Sequence, residues 1–178
     1  MSIERRQRGL TLIELIMFIV IVGAALAGVL TILTYTTRHS ADPLIRKQAL
    51  AIAEAILEEA MIQPFTWCDP DDANAATAMG TADCAATVEA LGAEGLEVRG
   101  GAPLSFDNVS DYDGLSTTKN IAEGGAALYA ATVAVAAEAL NGVPAADSLR
   151  ITVTVAAPGG ENIVLQGYRT RYAPNLLP

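Results

Sequence analysis

Glu14 stands inside a run of apolar side chains, five residues after Gly9 when Leu10 is counted as the first. A carboxylate near the head of an apolar span costs free energy unless it is paired or reaches an interface. Cleavage after Gly9 would create an α-amine at Leu10, one helical turn from Glu14. Ammonium and carboxylate could then pair, within one chain or between neighbours in an apolar assembly. Cys68 and Cys84 are the only cysteines, too few for a zinc site, and the lone His39 is distant from them in sequence. A disulfide is expected, restricting the unfolded chain by about 3 kcal/mol in the loop-entropy picture if the domain is exported. Two unpaired small core residues are the alternative. Asp107, Asn108, Asp111 and Asp113 offer oxygens to a hard cation, and Asp111-x-Asp113-Gly114 is a fragment of a calcium loop that lacks the closing glutamate. Turns in which Asx side chains bond the backbone are the better reading there, and also for Asp69, Asp71 and Asp72 beside Cys68. No metal site is expected.

A catalytic reading would require a nucleophile with its base, a metal cluster or two carboxylates in a cleft, and none is indicated. His39 abuts the apolar segment without a partner pattern. Gly100-Gly101 and Gly124-Gly125 read as turns and not as a phosphate-binding loop between strand and helix. The expectation is therefore no catalytic residue, no cofactor and no enzyme. The formal charge of −9 points away from nucleic acid, and removing residues 1–9, whose three arginines outweigh Glu4 by two charges, takes it to −11.

The elements that must position these residues begin with a membrane-length span. The hydrophobic fraction is 52% and the charged fraction 17%, and the excess is concentrated in residues 15–35, 21 residues without a charge. As a helix they reach about 31 Å, matching the roughly 30 Å hydrocarbon core of a bilayer and exceeding the apolar core of an ordinary cleaved signal. Arg5, Arg6 and Arg8 precede the span. This asymmetry places the N-terminus in the cytoplasm and the remainder of the chain outside.

Beyond the span, Asp42 and Pro43 have the types of an N-cap and first helical position, so a kink or short break is expected there. Ile45, Ala49, Ile52, Ile56 and Ala60 fall at helical spacing, with Leu50, Ala53, Leu57 and Met61 widening the stripe as far as Gln63-Pro64. Residues 65–120 read as long loops with one short helix over 85–91. Strands are expected over 129–136, 149–156 and 163–172, the first of which could instead be helical because it is rich in alanine. Residues 158–162 supply the turn of a hairpin between the last two. One ordinary domain plus an accessory element fits the length of 178 residues.

The stretch Arg8-Gly9-Leu10-Thr11-Leu12-Ile13-Glu14-Leu15-Ile16 resembles the class III signal of type IV pilins and type II secretion pseudopilins. In that family a prepilin peptidase cuts after the glycine, the new first residue is N-methylated and the apolar segment stays in the product. The resemblance implies cleavage between Gly9 and Leu10, methylation of Leu10 and a registration role for Glu14. The family usually has Phe where this chain has Leu10, a departure that bears on methylation more than on cleavage. Small residues Gly23, Ala24, Ala25, Ala27 and Gly28 would permit close approach of neighbouring helices.

The implied fold is α+β and pilin-like, a long N-terminal helix packed on a small antiparallel sheet. Residues 1–9 would be a cytoplasmic leader and 10–63 the long helix, with 10–37 as membrane or filament core and 42–63 amphipathic. Residues 64–178 would be the periplasmic or extracellular domain. Asp42-Pro43 with the Arg, Gln-Ala and Ala-Glu pattern after it, and Phe106-Asp107-Asn108-Val109-Ser110-Asp111-Tyr112-Asp113-Gly114, are similar to the D-type minor pilins of mannose-sensitive haemagglutinin pili. The implied partners are the prepilin peptidase, other pilin subunits through the N-terminal helix, an inner-membrane assembly platform and the lipid bilayer, but no nucleic acid. A type II secretion pseudopilin would share every N-terminal feature. A signal-anchored periplasmic enzyme or binding domain would differ by retaining residues 1–9.

Overall fold

A computed structural model describes residues 11–120, 128–175 and 177, apart from the side chains at 37–42, 119 and 120. The chain divides into two compact units, Met1–Leu44 and Ile45–Pro178. Its described elements are the helix α1 (Leu12–Ile62) and the strands β1 (Ser116–Asn120), β2 (Leu128–Ala137), β3 (Ser148–Ala156) and β4 (Asn162–Thr170), with short 3-10 turns between them. The class is α+β with a small antiparallel sheet, as expected of a pilin-like chain.

Of the kink or short break expected near Pro43, the break is not found, since α1 continues through that residue. A proline inside a helix forfeits one backbone bond, whereas ending the helix and nucleating another would forfeit several and incur the nucleation cost again. The capping role expected of Asp42 falls on a side chain outside the described residues. At the other end α1 stops at Ile62, and the Pro64 carbonyl accepts the amide of Val109 at 3.1 Å.

The four strands form a sheet in the order β1-β2-β3-β4, each antiparallel to the next. Strict alternation in β2 sends Tyr129, Ala131, Val133 and Val135 inward, and β3 does the same with Leu149, Ile151, Val153 and Val155. The alanine-rich 128–137 stretch is a strand because both of its edges find partners, β1 and β3, while its valines suit a pleated surface. From the helical side, Ala49, Ala53, Ile56 and Ala60 are buried in the same cluster, with Ile45, Ile52, Leu57 and Met61 half-buried around them. Alanine at three of the four buried helical positions leaves little bulk between helix and sheet. Gly167 of β4 extends the same economy, because a Cβ there would lie 2.7 Å from the Met61 sulfur and 3.1 Å from Leu57 Cδ1. Where the helix face meets β2, the Tyr129 hydroxyl donates to Gln48 Oε1 at 2.7 Å.

The β3–β4 hairpin turns through Ala157 to Glu161, closed by the Ala157 amide on the Glu161 carbonyl at 2.9 Å. Gly159 and Gly160 both have positive φ, a conformation glycine adopts without a Cβ clash. β1 was not foreseen, and the helix expected over 85–91 is absent. Instead Val88 forms an antiparallel bridge with Cys68, and the amides of Ala85, Ala86 and Thr87 are taken by the Asp72 carboxylate.

Candidate functional site

Within the first unit, Leu12–Thr36 is a 25-residue helical segment of mean hydropathy 2.8 with none of it buried. It spans about 37 Å at about 1.5 Å per residue, enough to cross a bilayer. Its three threonines are satisfied internally: the hydroxyls of Thr31, Thr34 and Thr36 donate to the carbonyls of Ala27, Leu30 and Ile32 at 2.8, 2.9 and 3.0 Å. That back-bonding lets threonine sit in an apolar medium without an orphaned donor. Glu14 lies in the first turn and is exposed, the one acidic side chain of the segment. An acidic group suits the positive end of a helix dipole. A Cβ at Gly23 or Gly28 would meet nothing within 4 Å, so no contact inside the chain requires glycine at either position. Gly9 and Leu10, the expected cleavage and methylation residues, lie outside the described residues, as does the side chain of His39.

In the second unit Cys68 and Cys84 are joined as a disulfide, with Cα atoms 5.5 Å apart. The loop it closes is organised by Asp72, whose two carboxylate oxygens accept the amides of Asn74, Ala85, Ala86 and Thr87 at 2.7–3.0 Å. Those four bonds hold its pKa far below the usual carboxylate range. Asp69 makes the expected Asx turn, accepting the Asp71 amide at 2.7 Å. Arg171 seals one side of this region. Its guanidinium lies 3.8 Å from the ring centroids of both Phe65 and Trp67 and pairs with Asp147 at 3.3 Å.

The calcium-loop fragment does not act as a unit. Asp113 Oδ1 accepts the Val135 amide on β2 at 2.8 Å, and buried Asn108 donates through Nδ2 to Thr66 Oγ1 at 2.6 Å. Asp111 and Asp107 turn instead toward acidic residues of the preceding loop. Asp111 gathers with Glu89 and Glu94, while Asp107 gathers with Asp69, Asp71 and Glu97, and the ligand oxygens of each group all lie within 4.8 Å of one another. Burial raises the Glu89 pKa to about 9, with the charges of Glu94, Asp111 and Asp69 adding to it against a bond from Ser110. Burial likewise lifts Glu94 and Glu97 to about 7 and Asp107 to about 6, and raises Asp111. The sequence reading did not single out Glu89, Glu94 or Glu97. Their one sequence signal is that no basic residue stands between Lys47 and Arg99 to neutralise them, and Arg99 is held by Glu59, which also accepts from the Tyr112 hydroxyl at 3.0 Å.

Residues 5–30 match the prokaryotic N-terminal methylation motif, a stretch that contains Gly9, Leu10 and Glu14. No curated protein and no solved structure is similar enough to the chain to count as a match. The motif supports a type IV pilin-like protein, either pilin or pseudopilin, that is anchored in the membrane and processed by a prepilin peptidase. It points to a structural subunit and not to an enzyme.

Proposed function

We propose that the chain is a minor pilin subunit of a type IV pilus of the haemagglutinin type, cut between Gly9 and Leu10, methylated at Leu10 and drawn from the inner membrane into the filament. The observation that carries this reading is a methylation motif running directly into a 25-residue apolar helix that buries nothing against its own chain. In a filament that surface would be covered by the same segment of other subunits. Gly23 and Gly28 cost roughly 1 kcal/mol each relative to alanine in a helix interior. Close approach of a neighbouring helix, which small residues permit, would offset that cost. Glu14 would pair with the Leu10 ammonium of its own chain or of a neighbour, which gives the carboxylate a partner in an apolar setting and fixes the axial register. The domain beyond residue 63 would be carried outside, where its disulfide is chemically at home.

Two measurements test this. Gly9→Ser should leave an uncut precursor, visible as slower gel mobility equal to that of the wild type in cells without the peptidase. The wild-type chain should co-purify with filaments sheared from the cell surface, and recovery only in the periplasmic and inner-membrane fractions would place it instead with the pseudopilins. Cleavage of Gly9→Ser at the wild-type rate would remove the processing step on which the proposal depends.

A further inference from the structure

We propose that Glu89, Glu94 and Asp111 form a binding site for one calcium ion in the exported domain. Their ligand oxygens lie within 4.8 Å of one another. Two ligands on opposite sides of a calcium ion stand about 5 Å apart, so all three can reach one ion. Each carboxylate is fixed through one oxygen. Glu89 Oε1 accepts the Ser110 hydroxyl at 2.7 Å and Glu94 Oε1 the Ala90 amide at 2.9 Å, while Asp111 Oδ2 accepts the amides of Asp107 and Asn108 at 2.9 and 2.7 Å. The second oxygens of Glu89 and Asp111 are buried with no hydrogen-bond partner, and Asp111 as a whole is only 1% exposed.

A buried acceptor left unpaired costs about 1–3 kcal/mol, and more when charged. Three carboxylates whose ligand oxygens lie within 4.8 Å of one another add repulsion to that cost. A bound cation removes both penalties. Arg171 feels the charge of Glu89 but is stacked between Phe65 and Trp67 and paired with Asp147. Arg99 is held by Glu59. Neither neutralises the three carboxylates.

The donor set selects the ion. With oxygens alone and no imidazole or thiolate, the site favours a hard cation. Calcium accepts six to eight oxygens in irregular geometry, whereas magnesium demands a near-ideal octahedron and keeps its water. An open cavity of about 210 Å³, lined in part by Asp69, Asp71, Glu94 and Glu97, adjoins the site and offers room for waters to complete the shell. Its acidic walls would draw cations inward.

Trp67 is the only tryptophan, and its carbonyl accepts the Glu89 amide at 3.2 Å, so its fluorescence reports on the site. The full-length chain in detergent micelles, freed of divalent ions and titrated with calcium chloride, should show a saturable fluorescence change. Calorimetry should give one ion per chain with a dissociation constant of about 10⁻³ M or tighter. Magnesium chloride should bind at least about tenfold more weakly, as should calcium to Glu89→Gln. Glu94→Gln, at a more exposed position, serves as the second variant if Glu89→Gln fails to fold by circular dichroism. Absence of a saturable response up to about 10 mM calcium, equal binding of magnesium, or wild-type affinity in the folded variant would overturn the assignment.

Discussion

Residues 12–36 and 45–62 belong to the same helix yet bury their apolar side chains in opposite ways. The second segment hides Ala49, Ala53, Ile56 and Ala60 against β2 and β3 and leaves Glu54 and Glu58 in solvent. The first is apolar on every face and every side chain in it is exposed. An apolar stripe is completed by the chain's own sheet, whereas an apolar cylinder needs an environment outside the chain, either lipid or other helices. Substitutions should separate accordingly, with changes in the first segment altering membrane and assembly behaviour and changes in the second unit altering stability.

The largest effect is expected at Glu14. Glu14→Lys should nearly abolish recovery of the subunit in sheared filaments while the second unit keeps its thermal unfolding midpoint, and Glu14→Ala should act in the same direction more mildly. Undiminished incorporation would break the contrast between the two segments. Next comes the disulfide: Cys68→Ser should cost about 3 kcal/mol in denaturant unfolding, because the loop between residues 68 and 84 is released in the unfolded chain. Gly167→Val should cost about 1–3 kcal/mol by pressing a side chain into Met61 and Leu57. Gln48→Ala should cost about 1 kcal/mol through the lost bond from Tyr129. Neither of the last two should change membrane association in a flotation assay.

The pH dependence of stability should also reside in the second unit. Glu89, with a folded pKa of about 9 against a reference of 4.5, favours the folded state when protonated. That contribution is full below the reference value and is lost as pH rises through about 9, and Glu94 and Glu97 act in the same direction up to about 7. In chelator, the thermal midpoint of the second unit should therefore fall between neutral pH and pH 9. A midpoint that rises over that interval would contradict the burial of Glu89.

Much of this contrast was legible in the sequence because it rests on local pattern. The uncharged run over 15–35 and the helical spacing of Ile45, Ala49, Ile52 and Ile56 depend on neighbours a few residues away, as does the alternation from Leu149 to Val155. Illegible parts depended on distant partners. β1, whose sequence is Ser-Thr-Thr-Lys-Asn, carries no apolar alternation and is a strand because β2 offers it an edge. The supposed helix over 85–91 fails because Asp72, more than a dozen residues earlier, captures three of its amides. The long helix over 10–63 was legible, but the absence of a break at Pro43 was not, because capping residue types do not display the cost of a second nucleation. The meeting of Glu89 and Glu94 with Asp111 is a product of loop packing, and no spacing rule announces it.

Under the proposed function, the apolar half of the helix leaves the membrane carrying a newly made amine beside Glu14. Intact-mass analysis of the chain recovered from filaments of its native host tests it most directly. The expected species begins at Leu10, with the first nine residues gone and one methyl group added. A chain recovered there with residues 1–9 still attached would leave Glu14 without its partner and contradict the account.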